Sequence, residues 1–118
     1  MSGEDVDSFD TGLRESDLDL ARPAPLETPW GSFALYVVAG EVRAVQSFCP
    51  HLEGPLFQGT QSGETITCPW HLWRFSLISG ARQDAGALRF GGHPRLRICS
   101  VTHSASGTLV LSPPGVRS

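Results

Sequence analysis

The sequence predicts an all-β fold, on three observations. No stretch of ten or more residues carries a convincing helical period. Short β-branched and aromatic runs recur between turn-forming segments. Thirteen glycines and nine prolines are spread along 118 residues, a composition that suits short strands joined by loops better than a helical bundle. The length fits one domain with one modest core.

In order, residues 1–12 (MSGEDVDSFDTG) are polar, acidic and aperiodic, and read as a disordered lead-in. RPAPLETPWG (22–31) reads as an extended loop, with three prolines in ten residues. FALYVV (33–38) and VRAVQS (42–47) form a hairpin across AGE. TITC (65–68) and RFSLI (74–78) form a second pair. RLRICSV (95–101) alternates, with Leu96 and Ile98 on one face and Arg95 and Arg97 on the other, and TLVLS (108–112) closes the chain.

The acids are uneven. Residues 1–20 hold Glu4, Asp5, Asp7, Asp10, Glu15, Asp17 and Asp19 against Arg14 alone, while the remainder is slightly basic through dispersed arginines. That dispersal argues against a nucleic-acid face. The acidic segment reads as solubilising. No apolar run approaches the ~20 residues of a membrane helix and the start does not resemble a signal peptide, so the expected location is the cytoplasm. There, Cys49, Cys68 and Cys99 point to metal binding or reactivity before a disulfide framework.

Two turns carry the chemistry. CPHLEG (49–54) and CPWHLW (68–73) each write Cys-Pro with a histidine close behind: Cys49-x-His51, sixteen residues, then Cys68-x-x-His71. Proline after each cysteine stiffens the loop, and Gly54 and Gly59 permit tight turns beside it. A single zinc accepts two Cys and two His, but zinc sites more often pair like with like. A Cys–His nucleophile would leave one set idle. A [2Fe–2S] cluster with two Cys on one iron and two His on the other uses all four, each loop sending its Cys to the inner iron and its His to the outer.

The pattern C-x-H…C-x-x-H resembles the Rieske [2Fe–2S] ferredoxin family, of the low-potential bacterial type found beside aromatic-ring dioxygenases. The likeness runs through VRAVQSFCPHLEGPLFQG and ITCPWHLWRFSLISG, over roughly residues 32–112. It implies a Rieske-type antiparallel β-sandwich or barrel over residues 13–118, with a small cluster-binding subdomain of loops and short strands at about 46–82. It also implies Cys49, His51, Cys68 and His71 as ligands of one [2Fe–2S] cluster. Two positions depart from the small ferredoxins: Leu72 stands where they commonly have Gly, and Ser76 where they have an acid.

High-potential Rieske proteins carry a disulfide between the loops and two hydroxyls on cluster sulfur. Here those positions hold Gly54 and Trp70, and Trp73 and Phe75. Fewer hydrogen bonds to sulfur leave the reduced cluster less stabilised, placing the potential near the roughly −150 mV end of the range. Two ferric ions, two sulfides and two thiolates sum to zero charge, so the electron still enters more easily than in a four-thiolate cluster.

The implied function is one-electron transfer from a flavin-dependent reductase to a terminal oxygenase or similar acceptor, with no substrate turnover and no membrane partner. A complete oxygenase would need a further two-His, one-carboxylate iron, for which only His93 and His103 remain. A Rieske-like subunit of a larger redox enzyme, of oxygenase or nitrite-reductase small-subunit type, is the alternative, with a Cys2His2 zinc module behind it. His93 and His103 read as surface residues, Cys99 as a buried inert thiol and Trp30 as packing. Trp70, Leu72 and Trp73 read as an apolar rim around the cluster.

Overall fold

The computed structural model describes residues 7–19, 21–50, 54–70, 72–84 and 95–114. Within them lie β1 (Phe9–Arg14), β2 (Pro25–Thr28), β3 (Gly31–Val38), β4 (Glu41–Gln46), β5 (Thr60–Ser62), β6 (Thr65–Thr67), β7 (Arg74–Ser76), β8 (Ile98–Cys99), β9 (Val101–His103) and β10 (Thr108–Leu111). Short 3-10 turns cover Glu15–Asp17 and Leu56–Gln58. The fold is all-β, as the composition requires. Its sheets run β1-β10-β9, β2-β3-β4-β8 and β5-β6-β7, and every pairing is antiparallel.

The β3–β4 hairpin organises the rest. Val38 pairs with Glu41 across a two-residue turn in which Ala39 and Gly40 have φ of 53° and 81°. Those left-handed values give the turn the twist of its flanking strands. From Phe33 to Val38, β3 is apolar without interruption because both its faces are covered. Phe33 and Leu35 pack with Val42, Ala44, Cys99, Leu109 and Leu111 in a core between the first two sheets. Ala34, Tyr36 and Val38 face the other way, packing with Val45, Leu56, Ile66, Phe75, Leu77, Leu96 and both loop cysteines. The second core is what ties the β5–β6–β7 layer and its loops to the frame.

Three expectations are corrected. Residues 9–12 belong to β1, not to a disordered lead-in: Phe9 and Asp10 pair with Leu111 and Val110, and Thr11 Oγ1 donates to the Leu109 carbonyl at 2.8 Å. Phe9 and Leu13 pack on the first core, while residues 1–6 lie outside the described residues. A bulge between Asp10 and Arg14 is held by the Gly12 amide donating to Asp10 Oδ1 at 2.9 Å, which also draws the Asp10 carboxyl below its ordinary value. The proline-rich segment contains β2, an outer strand of its sheet, where a missing amide on Pro25 is tolerated. RLRICSV is two strands, β8 on β4 and β9 on β10, which change sheets at Ser100.

Tyr36 supplies a stability test. It is buried, and its hydroxyl has no hydrogen-bond partner among the described residues. Removing an unsatisfied buried hydroxyl while keeping the ring is neutral or favourable by about 1 kcal/mol. Tyr36→Phe is therefore expected to hold or raise the melting temperature. A loss of more than about 1 kcal/mol would show that the hydroxyl bonds an ordered water.

Candidate metal centre

The two Cys-Pro loops leave the second core side by side. In the first, the Cys49 amide donates to the Gly54 carbonyl at 2.7 Å and Leu56 N–H donates to the same oxygen at 2.8 Å, closing the loop on itself. Ser47 anchors its base: the Phe57 amide donates to the Ser47 carbonyl, and Ser32 Oγ donates to Ser47 Oγ at 2.9 Å. In the second, β6 and β7 present Thr67 opposite Arg74, and the Cys68 amide donates to the Trp73 carbonyl at 2.8 Å. The Trp70 amide turns back onto Cys68 Sγ at 3.4 Å.

The loops interlock. A Cβ built on Gly54 would lie 2.7–2.9 Å from three ring atoms of Trp70, so the indole of one loop rests on the bare backbone of the other. Gly59, just past the first loop, is pressed harder still, on the Thr67 carbonyl of β6.

Of the four candidate ligands, Cys49 and Cys68 are brought into one core cluster, each 0% exposed. His51 and His71 lie outside the described residues, as does His93. The thiols fit the group that the motif implies. Two metal-bound thiolates carry two negative charges into an apolar interior, and a core of two ferric ions and two sulfides cancels them. The Trp70 amide adds a polar contact to one sulfur.

Comparison with known proteins decides the family. The family model described as Rieske [2Fe–2S] domain matches residues 13–90. The chain belongs to the Rieske [2Fe–2S] domain family. Its cofactor is accordingly one Rieske-type [2Fe–2S] cluster. The Rieske domain is 34% identical over 68 residues to apoptosis-inducing factor 3 of Homo sapiens, covering 58% of this chain and 11% of that protein. It thus spans about a tenth of that relative. Among solved structures it superposes on a Sphingomonas yanoikuyae ferredoxin with a TM-score of 0.70 at 24% identity, covering 86% and 95% of the two chains. It also superposes on a chain from the complex of reduced oxygenase and oxidised ferredoxin in carbazole 1,9a-dioxygenase, with a TM-score of 0.74 at 19% identity, covering 93% and 97%. No helix among the described residues is long and apolar enough to cross a membrane.

Around the thiols, the Rieske domain sorts its aromatics. Phe75 is buried in the second core and brings no hydroxyl to it. Trp70 and Leu72 are 49% and 67% exposed, with Phe48 also open to solvent. Trp73 is not part of that rim. It packs on the second core with its ring centroid 6.2 Å from that of Phe75, and the Arg82 guanidinium lies 3.2 Å above it. Sequence reasoning missed Arg82 because its partner is nine residues away, across a strand. Leu72, at the position where small ferredoxins commonly have glycine, has φ of 58°. The backbone keeps the glycine-like conformation although the residue is leucine.

His103 is exposed, with Nε2 3.6 Å from Glu15 Oε1. Cys99 is buried on β8 in the first core, away from the loop cysteines. Burial pushes its thiol up to about 12, against a smaller downward pull from Arg97. The folded-state value lies above the unfolded one, so this stability is fully present below about pH 9 and is lost as pH rises toward 12. Burial raises the Tyr36 hydroxyl as well, adding to the loss at the alkaline end. Stability is expected to fall above pH 9, by at most about 1.4 kcal/mol per pH unit for each group. Cys99→Val should remove part of that slope in alkaline unfolding curves; an unchanged slope would contradict the assignment.

Proposed function

We propose that this Rieske domain is a one-electron carrier, taking electrons from a flavin-dependent reductase and passing them to a terminal oxygenase or similar acceptor. Cys49, Cys68, His51 and His71 would hold the cluster, the two thiolates on one iron and the two imidazoles on the other. The observation that carries the reading is the pairing of two fully buried thiols with an exposed apolar rim on the second loop, Trp70 and Leu72. When bound, the cluster supplies a reversible one-electron couple. The second core excludes water from the thiols, the interlocked loops fix their spacing, and the rim offers a small docking surface of the kind transient redox encounters use, below ~1,200 Å². Likeness to the oxygenase–ferredoxin complex supports the choice of acceptor.

The test is iron and sulfide analysis with EPR of the reduced protein, followed by stopped-flow reduction by a candidate reductase. A rhombic signal with the low average g of a His-ligated iron and two irons per chain is expected; stoichiometric zinc without that signal would sink the reading. The match to a short stretch of a longer relative favours a second reading, the Rieske part of a larger redox enzyme. Electron transfer without substrate turnover separates the two.

Leu72 gives a sharper check on docking. Its left-handed backbone costs about 1 kcal/mol that glycine would not incur. Leu72→Gly is expected to raise stability by about that amount while slowing electron exchange with partners, with spectrum and potential unchanged. Unchanged exchange with every partner tried would place the docking surface elsewhere.

A further inference from the structure

Beyond β7, residues 81–84 run back along the second loop's outgoing strand. The Ser76 amide donates to the Ala81 carbonyl at 2.9 Å, Arg82 bridges Phe75, and the Gln83 amide donates to the Arg74 carbonyl at 2.7 Å. On this segment Arg82 and Asp84 form a forked ion pair. Arg82 Nε donates to Asp84 Oδ2 at 2.7 Å, and Nη2 lies 2.7 Å from Oδ1. Asp84 Oδ2 also accepts the Arg74 amide at 2.9 Å. Both side chains are nearly sealed from solvent, at 8% and 14% exposed.

A pair this buried is a weak source of stability, because desolvation offsets most of its attraction and apolar replacements often do as well. Its location suggests another use. The guanidinium carbon sits over the Trp73 ring, and the Trp73 carbonyl accepts the Cys68 amide. One residue, Trp73, therefore separates the fixed charges from the backbone of a proposed ligand residue. We propose that Arg82 and Asp84 are positioning residues of the second loop which also set the reduction potential through their opposed charges. Arg82 favours the added electron, Asp84 disfavours it, and their pairing trims the potential between the two. The inference rests on the ligand assignment above.

The experiment measures midpoint potential and cluster half-life in the iron-loaded protein and its variants. Arg82→Met removes the positive charge of the pair while Asp84 keeps its own, and is expected to lower the equilibrium constant for reduction about tenfold, about 59 mV for one electron. Asp84→Asn is expected to raise it by a similar factor, and the double variant to return to within about threefold of the parent. Arg82→Lys keeps the charge but not the planar stack, so it should keep the potential and lose its cluster sooner. A purely structural pair would change half-life and melting temperature without opposed shifts in potential. Single variants moving the potential in the same direction, or not at all, overturn the proposal. If Arg82→Met does not retain its cluster, Asp84→Asn and Arg82→Lys decide: an unchanged potential in the first overturns it. A parent protein lacking the rhombic signal fails at the ligand assignment instead, and takes this inference with it.

Discussion

Gly59→Ala is expected to cost about 3 kcal/mol, roughly 10 °C in melting temperature, and to leave much of the protein without iron. A Cβ there would press on the Thr67 carbonyl and come within 3.0 Å of the Leu56 carbonyl. Both obstacles are backbone, so no rotamer change relieves them. β6 cannot retreat, because Thr67 is paired on one side with Thr60 and on the other with Arg74. Nor can the first loop move outward easily, since the Gly59 amide donates to the Leu56 carbonyl and Leu56 is fully buried. Any relief shifts Thr67, and the next residue is Cys68. Thermal unfolding together with iron content checks the claim. A variant with parental melting temperature and full iron would show that the two segments separate freely.

Deleting residues 1–14 is expected to cost about 3 kcal/mol, where the composition of residues 1–12 alone predicts almost nothing. The deletion removes β1 and its bonds to β10, including the one from Thr11, and takes Phe9 and Leu13 off the first core. Partial burial of two such side chains supplies about 1–2 kcal/mol each. It also leaves β10 with a bare edge, an invitation to pairing between chains. A lower melting temperature and a tendency to aggregate are the readouts. A deletion ending at Ser8 spares the strand and serves as the control; if both deletions behave alike, β1 contributes nothing.

The contrast shows where local sequence carries structure and where it does not. β3 and β4 were legible because a strand covered on both faces is a run of apolar residues, and a two-residue turn marks its end. The cysteine loops were legible because their spacing and prolines are local. β1 was not: it reads FDTGLR, and what makes it a strand is β10, about a hundred residues away. β2 was masked by its prolines, which an outer strand accommodates, and β5 is only three exposed residues. The alternation in RLRICSV was real, but nothing in its pattern signals the change of sheet at Ser100. At the site, the sequence placed Trp73 on the rim with Trp70 and Leu72, because three large apolar residues in a loop look alike. The guanidinium that turns Trp73 inward comes from a separate segment, and side-chain pairing at that range leaves no periodic trace.

That crossing at Ser100 also bears on how the frame responds to an added electron. The strand paired with β4 and the strand paired with β10 are joined through one residue, so the β2-β3-β4-β8 and β1-β10-β9 sheets are covalently linked at that point. Layers joined this closely have no plane along which to slide, and shear between packed layers is one of the main ways proteins change shape. Movement on a change of oxidation state is therefore expected in the loops and their immediate supports rather than between these two sheets. A frame of this kind would keep the reorganisation accompanying each electron small in the proposed carrier, and would return the thiols to the same places after each transfer.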